Sequence, residues 1–335
     1  MRRKGKRRKT GKMLDTVKKR RKIRRRARAK VKPLKARRRL ARIKRRKRAI
    51  VPQADGGPTI GNTRVIVYIP FNNLNVRSML PRSIYEANLP EENTHLTPDW
   101  INKRIDIFMR FTLKSLLNQT NPNYAAFIVY DDSSRAYIDQ ALSNYSSLPY
   151  NIRFIANSEY ESAVMSLLNG YSYWYELHLY SDDMYSKYYI DMLYNYKPKP
   201  ETKVLVCQNG YIYNSVTNEL AKYFNHSSSF NCLIYRVQDY MNGVRHNLFQ
   251  TPPRHKEIKW EGAVLLPHEI IRYPVYVNHS HSNNSAFFFS YEMQRNSVPN
   301  VWENTAGKKV MLGEFITNES EKARILEEFI GNPAA

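Results

Sequence analysis

Short runs of mostly apolar residues recur after residue 60 and predict buried β-strands. Four of them lie at residues 65–70, 125–130, 152–155 and 175–180. β-branched and aromatic residues dominate these runs, as is typical of strands, and the runs are too short for stable helices. They are therefore expected to form the central sheet of the protein.

Segments with helical periodicity separate these strands. The clearest one begins at Thr97-Pro98-Asp99 and keeps an apolar face until Asn121-Pro122. A threonine N-cap, an early proline and an acidic residue in the first turn are signals of a helix start. Shorter helices are predicted at residues 138–145 and 161–168. Strands that alternate with helices at this spacing pair in parallel, so we predict an α/β fold with a mostly parallel sheet flanked by helices.

Acidic residues directly follow two of the predicted strands. Asp131-Asp132 follows the second strand, and Ser181-Asp182-Asp183 follows the fourth. Parallel strands end at a common edge of the sheet, and this edge is where open α/β sheets bind ligands. Adjacent carboxylates repel one another unless a cation shares them, so the second loop suits Mg²⁺ or Mn²⁺ carrying a diphosphate.

A simpler interpretation of each loop stays open. Bulky residues recur every four positions from Met184 to Tyr196 and predict a helix that Lys197-Pro198 ends. In that case Ser181-Asp182-Asp183 would only cap this helix and interact with its dipole. Asp131-Asp132 would either form a turn or bind the nucleoside of a nucleotide.

Absent nucleotide-binding motifs narrow the class of ligand, and further strand-like segments extend the predicted sheet. Neither a Gly-x-Gly-x-x-Gly motif nor a Walker lysine motif is present, which argues against dinucleotide and P-loop chemistry. Strand-like segments follow at residues 204–207, 210–214 and 230–235, and residues 319–330 read as a closing helix. Two acidic loops at one sheet edge, without those motifs, point to a nucleotide-sugar site.

The charge of the chain is concentrated at its N-terminus. Residues 1–50 hold 29 of the 54 Lys and Arg residues and a single acid, Asp15, so their charge of +28 against a total of +25 leaves −3 elsewhere. Such dense like charge cannot collapse into a core, so we predict a disordered polybasic arm and linker over residues 1–58 and a folded domain over residues 59–335. The expected partner of the arm is a polyanion, namely nucleic acid, an anionic membrane or an acidic polymer.

The cysteine content and the hydropathy of the sequence indicate in which compartment the protein is expected. Two cysteines, Cys207 and Cys232, provide no disulfide framework, and no apolar run is long enough for a membrane span. The N-terminus lacks the apolar segment of a signal peptide. We therefore expect a cytoplasmic protein, associated through its arm with an anionic surface.

Four stretches of the sequence resemble a known family. The run from Trp100 to Thr120 is similar to the helix between the first two strands of rhamnosyltransferase-like glycosyltransferases, and Leu179–Tyr185 is similar to their Asp-x-Asp-Asp element. With Gly210-Tyr211 and His268-Glu269, the resemblance covers roughly residues 63–290. In this chain Tyr180 stands where the family motif has its first aspartate, while Asp182 matches the second.

The resemblance implies a GT-A type glycosyltransferase fold, a nucleotide-sugar donor, an acceptor that the sequence does not name, and usually Mn²⁺ or Mg²⁺. Asp182 would bind the metal, with Asp183 as a second ligand or as a group that orients the donor. Apart from the resemblance, the late histidines His268, His279 and His281 could add a metal ligand or contact the diphosphate, with His281 chosen as the metal ligand. The tyrosine at position 180 leaves the metal dependence open.

An inverting enzyme of this kind needs a base for the acceptor hydroxyl. The candidates are Glu269, which lies in a matching stretch and is preferred, and Glu261. Two other functions stay open. The chain could be a non-catalytic protein that binds polyanions or nucleic acid with a degenerate glycosyltransferase fold, or an enzyme that glycosylates DNA held by the arm.

Overall fold

A computed structural model describes residues 57–72, 94–226, 228–246, 262–281, 294–295, 301–303 and 309–331. The predicted polybasic arm therefore lies outside the described residues, apart from its last two positions. The candidate base Glu261 lies outside them as well. Both stay predictions from the sequence.

Seven strands form a mostly parallel central sheet, as predicted. In chain order they are β1 (Thr63–Pro70), β2 (Ala125–Tyr130), β3 (Ile152–Ala156), β4 (Tyr173–His178), β6 (Val204–Cys207), β9 (Asn231–Arg236) and β10 (His268–Ile271). Their spatial order is β10-β6-β9-β4-β1-β2-β3. The pairs of β1 with β2 and β4, of β2 with β3, and of β6 with β10 are parallel, whereas β9 runs antiparallel to both of its neighbours. The carboxyl ends of β1, β2 and β4 therefore lie at one edge of the sheet.

Helices cover both faces of this sheet. The described α-helices are α1 (Pro98–Ile107), α2 (Leu113–Leu117), α3 (Arg135–Leu142), α4 (Asn157–Leu167), α5 (Tyr189–Asn195), α6 (Val237–Met241), α7 (Gly262–Leu265) and α8 (Glu319–Ile330). Residues of α1, α2, α3 and α5 pack on one face, and residues of α4, α6 and α7 pack on the other. Adjacent residues of β1 alternate between the two cores, which is why the strand is apolar throughout.

The long helix predicted after Thr97 is present, with one irregularity. Thr97 caps α1, since its side chain accepts a hydrogen bond from the backbone N–H of Trp100 at 3.4 Å. A π-helical segment, Phe108–Thr112, then joins α1 to α2. Single π-turns inside helices often occur at functional sites. Here the segment lies directly after the helix that carries Arg104.

Seven further strands form a second sheet. Its strands are β5 (Met184–Tyr185), β7 (Asn209–Asn214), β8 (Glu219–Phe224), β11 (Tyr276–Ser280), β12 (Gln294–Arg295), β13 (Val301–Glu303) and β14 (Lys309–Phe315). They are ordered β12-β13-β14-β8-β7-β11-β5. Met184, Leu220 and Val277 of this sheet pack against Ile325 and Phe329 of α8.

The helix predicted from Met184 to Tyr196 is only partly present. Met184 and Tyr185 form β5, which pairs antiparallel with Tyr276 and Val277, and α5 begins only at Tyr189. The four-residue period does not mark one helix face, because Met184 packs in the core of the second sheet, Met192 and Tyr196 pack against the core of the central sheet, and Tyr188 is exposed. Ser181-Asp182-Asp183 is therefore followed by a strand and not by a helix that it could cap.

No α-helix in the described part of the chain is both long enough and apolar enough to cross a membrane.

Candidate active site

The loop Ser181-Asp182-Asp183 connects the two sheets. It follows β4 of the central sheet and leads into β5 of the second sheet. All three residues are buried, and only 6% of Asp182 and 2% of Asp183 are exposed. Burial of ionisable groups requires nearby partners. Since α5 starts six residues after Asp183, the helix-capping interpretation of this loop is wrong.

Arg104 of α1 is the main partner of the loop. Its Nη2 lies 3.0 Å from Oδ1 of Asp182, and its Nε donates a hydrogen bond of 2.9 Å to Oγ of Ser181. The guanidinium is itself buried. Burial raises the pKa of Asp182, but the Arg104 charge and the nearby His281 outweigh it and hold this pKa at about 2. Asp182 is therefore ionised and paired.

His281, at the end of the second sheet's β11, reaches the other oxygen of the same carboxylate. Its Nε2 lies 3.1 Å from Oδ2 of Asp182, and since a carboxylate only accepts, the imidazole is the donor. Nη1 of Arg104 is 3.4 Å from the same nitrogen. Asp182, Arg104 and His281 therefore form one buried cluster, and the structure brings together two residues that the sequence predicted for a common site.

Asp183 is held from the opposite side. Its Oδ1 accepts a hydrogen bond of 2.8 Å from the backbone N–H of His279. Burial and the adjacent Asp182 raise the pKa of Asp183 well above its usual value. The two neighbouring carboxyl groups thus differ in environment, since Arg104 and His281 lower the pKa of Asp182 whereas burial and Asp182 raise that of Asp183.

His279 supports the loop as a neutral side chain. Its Nδ1 donates to the carbonyl oxygen of Asp182 at 3.1 Å, which leaves Nε2 to accept from Oγ of Ser215 at 2.9 Å. The ring packs against Phe111, with centroids 4.0 Å apart. Burial and the neighbouring His281 lower the pKa of His279 to about 3. It orients the loop and carries no charge at neutral pH.

Tyr180 occupies the position of the first aspartate in the family motif. Burial, together with Asp183 and Asp182, raises the pKa of its phenol, which a hydrogen bond with Ser229 only partly offsets. A neutral phenol is a weak ligand for hard divalent cations, which prefer carboxylate oxygen.

The second acidic loop lies at the same edge of the sheet. Asp131 follows β2, and its backbone N–H donates to Oδ1 of Asn72, which follows β1. The amide nitrogen of Asn72 donates in turn to Oγ of Ser134 and to the carbonyl of His95. Because β1 lies between β2 and β4, the two acidic loops are two strand spacings apart, or about 10 Å.

The two aspartates of this loop accept local hydrogen bonds. Oδ1 of Asp131 accepts from the backbone N–H of Ser133 at 3.0 Å and from its hydroxyl at 2.6 Å. Asp132 accepts from the backbone N–H and the hydroxyl of Ser158, in the first turn of α4. Both carboxylates thus have a turn-forming or capping role, while Asp131 retains a place at the sheet edge beside Asn72 and His95.

His95 is a residue of this edge that the sequence analysis missed. Its side chain is buried, and neither ring nitrogen has a hydrogen-bond partner among the described residues. Burial lowers its pKa, which Asp131 partly offsets. No periodicity or spacing singles out this histidine, because its position depends on Asn72, 23 residues earlier.

Glu269, the preferred candidate base, lies elsewhere. It is on β10, which is separated from β4 by β6 and β9. Its carboxylate accepts from the hydroxyls of Tyr196 and Thr202 and from the backbone N–H of Lys199. Burial raises its pKa, but these hydrogen bonds outweigh it and lower the pKa overall. The structure does not bring Glu269 to the Asp182 cluster, because its hydrogen bonds tie the edge strand to the segment after α5.

The residues around Asp182 do not fit a divalent ion as they stand. One carboxylate oxygen faces the Arg104 guanidinium and the other faces His281. Oδ1 of Asp183 accepts from a backbone N–H. Within the described ranges, no three His, Cys, Asp or Glu side chains converge as a metal site. Positively charged and N–H groups thus fill the places where a cation would be held.

One family model matches the part of the chain that contains Arg104 and Asp182. Residues 78–193 match the model of the family described as "Putative rhamnosyl transferase". No curated protein matches the chain.

Solved structures resemble the chain at low sequence identity. TarS from S. aureus, residues 1–349 in complex with UDP-GlcNAc, aligns with 13% identity and a TM-score of 0.35, over 69% of this chain and 62% of that chain. TarS 1–349 alone gives 12% identity and a TM-score of 0.33, over 65% and 60%. The chain thus spans about three fifths of the TarS structures.

A third structure is 4-diphosphocytidyl-2C-methyl-D-erythritolsynthase from Anaerococcus prevotii. It aligns with 11% identity and a TM-score of 0.24, over 69% of this chain and 91% of that chain. The match to the family model covers about a third of the chain. The region from residue 78 to residue 193, which includes Arg104 and the Ser181-Asp182-Asp183 loop, is thus similar to the rhamnosyltransferase family of that model.

Proposed function

We propose that this protein is a glycosyltransferase that moves a sugar from a nucleotide-sugar donor to a hydroxyl of an acceptor. The observation that carries the proposal is the buried Asp182–Arg104–His281 cluster at the carboxyl end of β4. It lies in or beside the family-matched region, at the sheet edge where α/β folds bind nucleotides. The loop that bears it caps no helix, so the burial of these charges calls for a functional explanation.

The two acidic loops would bind different parts of the donor. The Asn72–Asp131–His95 group provides carboxylate, amide and imidazole groups suited to the nucleoside. The Asp182 cluster, two strands away, would lie beside the diphosphate and the sugar. The separation of about 10 Å lets the two loops contact different parts of one extended donor.

The chemical requirement at the second loop is stabilisation of a leaving diphosphate. Positive groups that are already in position when charge develops lower the barrier most, because they need no reorganisation. Arg104 is such a group, since a hydrogen bond and an ion pair fix it, and His281 adds an N–H donor beside it. Asp183, which the His279 backbone N–H fixes, would orient the sugar.

The base for the acceptor hydroxyl stays a prediction. Glu261 is the remaining candidate from the sequence and lies outside the described residues. The hydrogen bonds of Glu269 at the far edge of the sheet support a structural role for that residue. An inverting outcome and a rhamnosyl donor are inferred from the family resemblance alone.

The polybasic residues 1–50 would bind a polyanion. Their charge of +28 would make such binding strongly dependent on salt, through counterion release on nucleic acid or screening at an anionic surface. We propose that this arm keeps the enzyme near an anionic surface or polymer of the cytoplasm. Deletion of residues 1–58 should abolish this binding and leave transfer to a small acceptor intact; loss of activity on DNA alone would identify a DNA-glycosylating enzyme.

The test of the function is hydrolysis and binding of UDP-, GDP- and dTDP-sugars by the full-length protein. We expect turnover of at least one donor and its loss in Asp182→Asn, whereas Asp106→Asn serves as the control. Asp106 is a half-exposed carboxylate of the same helix as Arg104 and forms an ion pair with Arg110 at the surface. Absence of any donor binding would instead favour the non-catalytic polyanion-binding alternative.

A further inference from the structure

The family resemblance implies that Asp182 binds a metal. In the structure, however, both of its carboxylate oxygens face cationic or N–H groups of the protein itself. Oδ1 lies 3.0 Å from Nη2 of Arg104, and Oδ2 lies 3.1 Å from Nε2 of His281. Only 8% of the Arg104 side chain and 9% of the Asp182 side chain are exposed. This is a buried, satisfied ion pair and not an open carboxylate.

Arg104 is built firmly into this position. It lies in the last two turns of α1, where Ile101 and Ile105 anchor the helix in the core. Its Nε donates to Ser181, its Nη2 binds Asp182, and its guanidinium carbon lies 5.7 Å from the centre of the Trp100 ring. Three different contacts therefore fix the orientation of the guanidinium, and Arg is charged at every physiological pH.

A divalent ion at Asp182 would compete directly with this arrangement. Mg²⁺ or Mn²⁺ needs a carboxylate oxygen at about 2.1 Å and repels a neighbouring guanidinium. Binding would have to displace Arg104 from Oδ1 and leave its buried charge without a counter-ion, which is strongly unfavourable. Tyr180 removes the other carboxylate that the family motif would offer to the ion.

We propose that Arg104 takes the place of the divalent ion, so that the donor diphosphate is bound and stabilised without metal. This inference rests on the proposed function. The guanidinium supplies a fixed positive charge at the carboxyl end of β4, and Nη1, which faces His281 at 3.4 Å, is the edge that would donate to phosphate oxygens. Asp182 then orients the arginine and does not ligate a metal, which makes it a positioning residue.

The first test is a direct measurement of Mn²⁺ binding by electron paramagnetic resonance, which needs no substrate. Wild type should show no saturable Mn²⁺ site below about 1 mM, because Arg104 occupies the carboxylate. Arg104→Met frees Oδ1 of Asp182 and should gain a site at least about tenfold tighter, which the added Asp182→Asn change removes. A wild-type site that disappears in Asp182→Asn would overturn the inference. Arg104→Gln, which also removes the charge, serves if Arg104→Met does not fold.

The second test is donor turnover in EDTA and in Mn²⁺. We expect equal rates for wild type in both, and a loss of about 100-fold or more in Arg104→Met that Arg104→Lys partly restores. Turnover that EDTA abolishes and Mn²⁺ restores would contradict metal independence while leaving the glycosyltransferase function intact. If no donor is turned over under either condition, the proposed function fails, and the Mn²⁺ measurement still decides the role of Arg104.

Discussion

The backbone N–H of His279 donates a hydrogen bond of 2.8 Å to Oδ1 of Asp183, and this contact links the two sheets at the candidate site. His279 lies on β11 of the second sheet, whereas Asp183 ends the loop that leaves β4 of the central sheet. The side chain of His279 also donates to the carbonyl of Asp182. One residue of the second sheet therefore fixes both acids of the loop.

Asp183 offers a matched pair of substitutions. Asp183→Asn keeps an acceptor for the His279 N–H and mimics the neutral carboxyl that burial and Asp182 favour, so the free energy of unfolding should stay unchanged or rise. Asp183→Ala leaves a buried N–H without its acceptor and should lower this free energy by about 1–3 kcal/mol. Urea unfolding measures both variants. Equal losses in the two would show that charge, and not the hydrogen bond, determines the role of Asp183.

Gly210 should not tolerate a side chain, because β7 passes close to a buried aromatic pair. A Cβ at this position would lie 2.5 Å from the ring of Tyr276, which stacks on Phe230. Gly210→Ala should therefore lower the free energy of unfolding by about 1–3 kcal/mol. Gly61→Ala is the control, since a Cβ there meets no atom within 4 Å. Similar stabilities for the two variants by thermal denaturation would contradict the packing described here.

The central sheet could be predicted from the sequence because its signals are local. β2 was predicted at its observed bounds, Ala125–Tyr130, and the parallel order followed from the alternation of strands and helices. Thr97-Pro98 placed the start of α1 correctly. In such segments the apolar pattern and the capping residues act within a few positions of one another.

The contacts that define the site could not be predicted because they join distant parts of the chain. Arg104 and Asp182 are 78 positions apart, and no spacing rule relates a helical arginine to a loop aspartate. Met184-Tyr185 was assigned to a helix because its pairing with Tyr276-Val277 leaves no local trace. His281 was named as a possible ligand of the site, but its contact with Asp182 is visible only in the structure.

Glu269 should contribute to the stability of the fold and not to catalysis. Glu269→Ala removes the acceptor of three hydrogen bonds from Tyr196, Lys199 and Thr202, so the free energy of unfolding should fall by about 1–3 kcal/mol. The turnover number of the folded variant should change by no more than about threefold, because β6 and β9 separate Glu269 from β4. Glu201→Ala, at an exposed neighbouring site, is the control. A drop of about 100-fold in turnover with unchanged stability would restore Glu269 as the base.

The two cysteines should be inert in the native protein. Both are buried, and burial raises the pKa of Cys207 to about 12 and that of Cys232 well above its usual value. Only the thiolate reacts, so neither thiol should react with a disulfide reagent at pH 8 until the protein is unfolded in guanidinium. Rapid reaction of either native thiol would contradict this burial.

The same thiols predict a loss of stability at alkaline pH. The unfolded chain releases their protons above about pH 8.5, while the folded chain retains them because their pKa values are raised. The unfolded state then binds fewer protons, so the free energy of unfolding falls with rising pH by about 1.4 kcal/mol per unit for each thiol. Urea titrations between pH 8 and 10 should show this fall, and Cys207→Ser should reduce the slope. An unchanged slope in that variant would assign the effect to other groups, such as the buried tyrosines.

The most direct measurement of the central claim is turnover of a panel of nucleotide sugars by wild type, Asp182→Asn and Arg104→Met, each assayed in EDTA. The Asp182–Arg104 pair predicts a wild-type rate that needs no metal and falls by about 100-fold or more in both variants, with Asp106→Asn unaffected. A donor that all four proteins turn over equally would contradict the placement of the active site at this cluster.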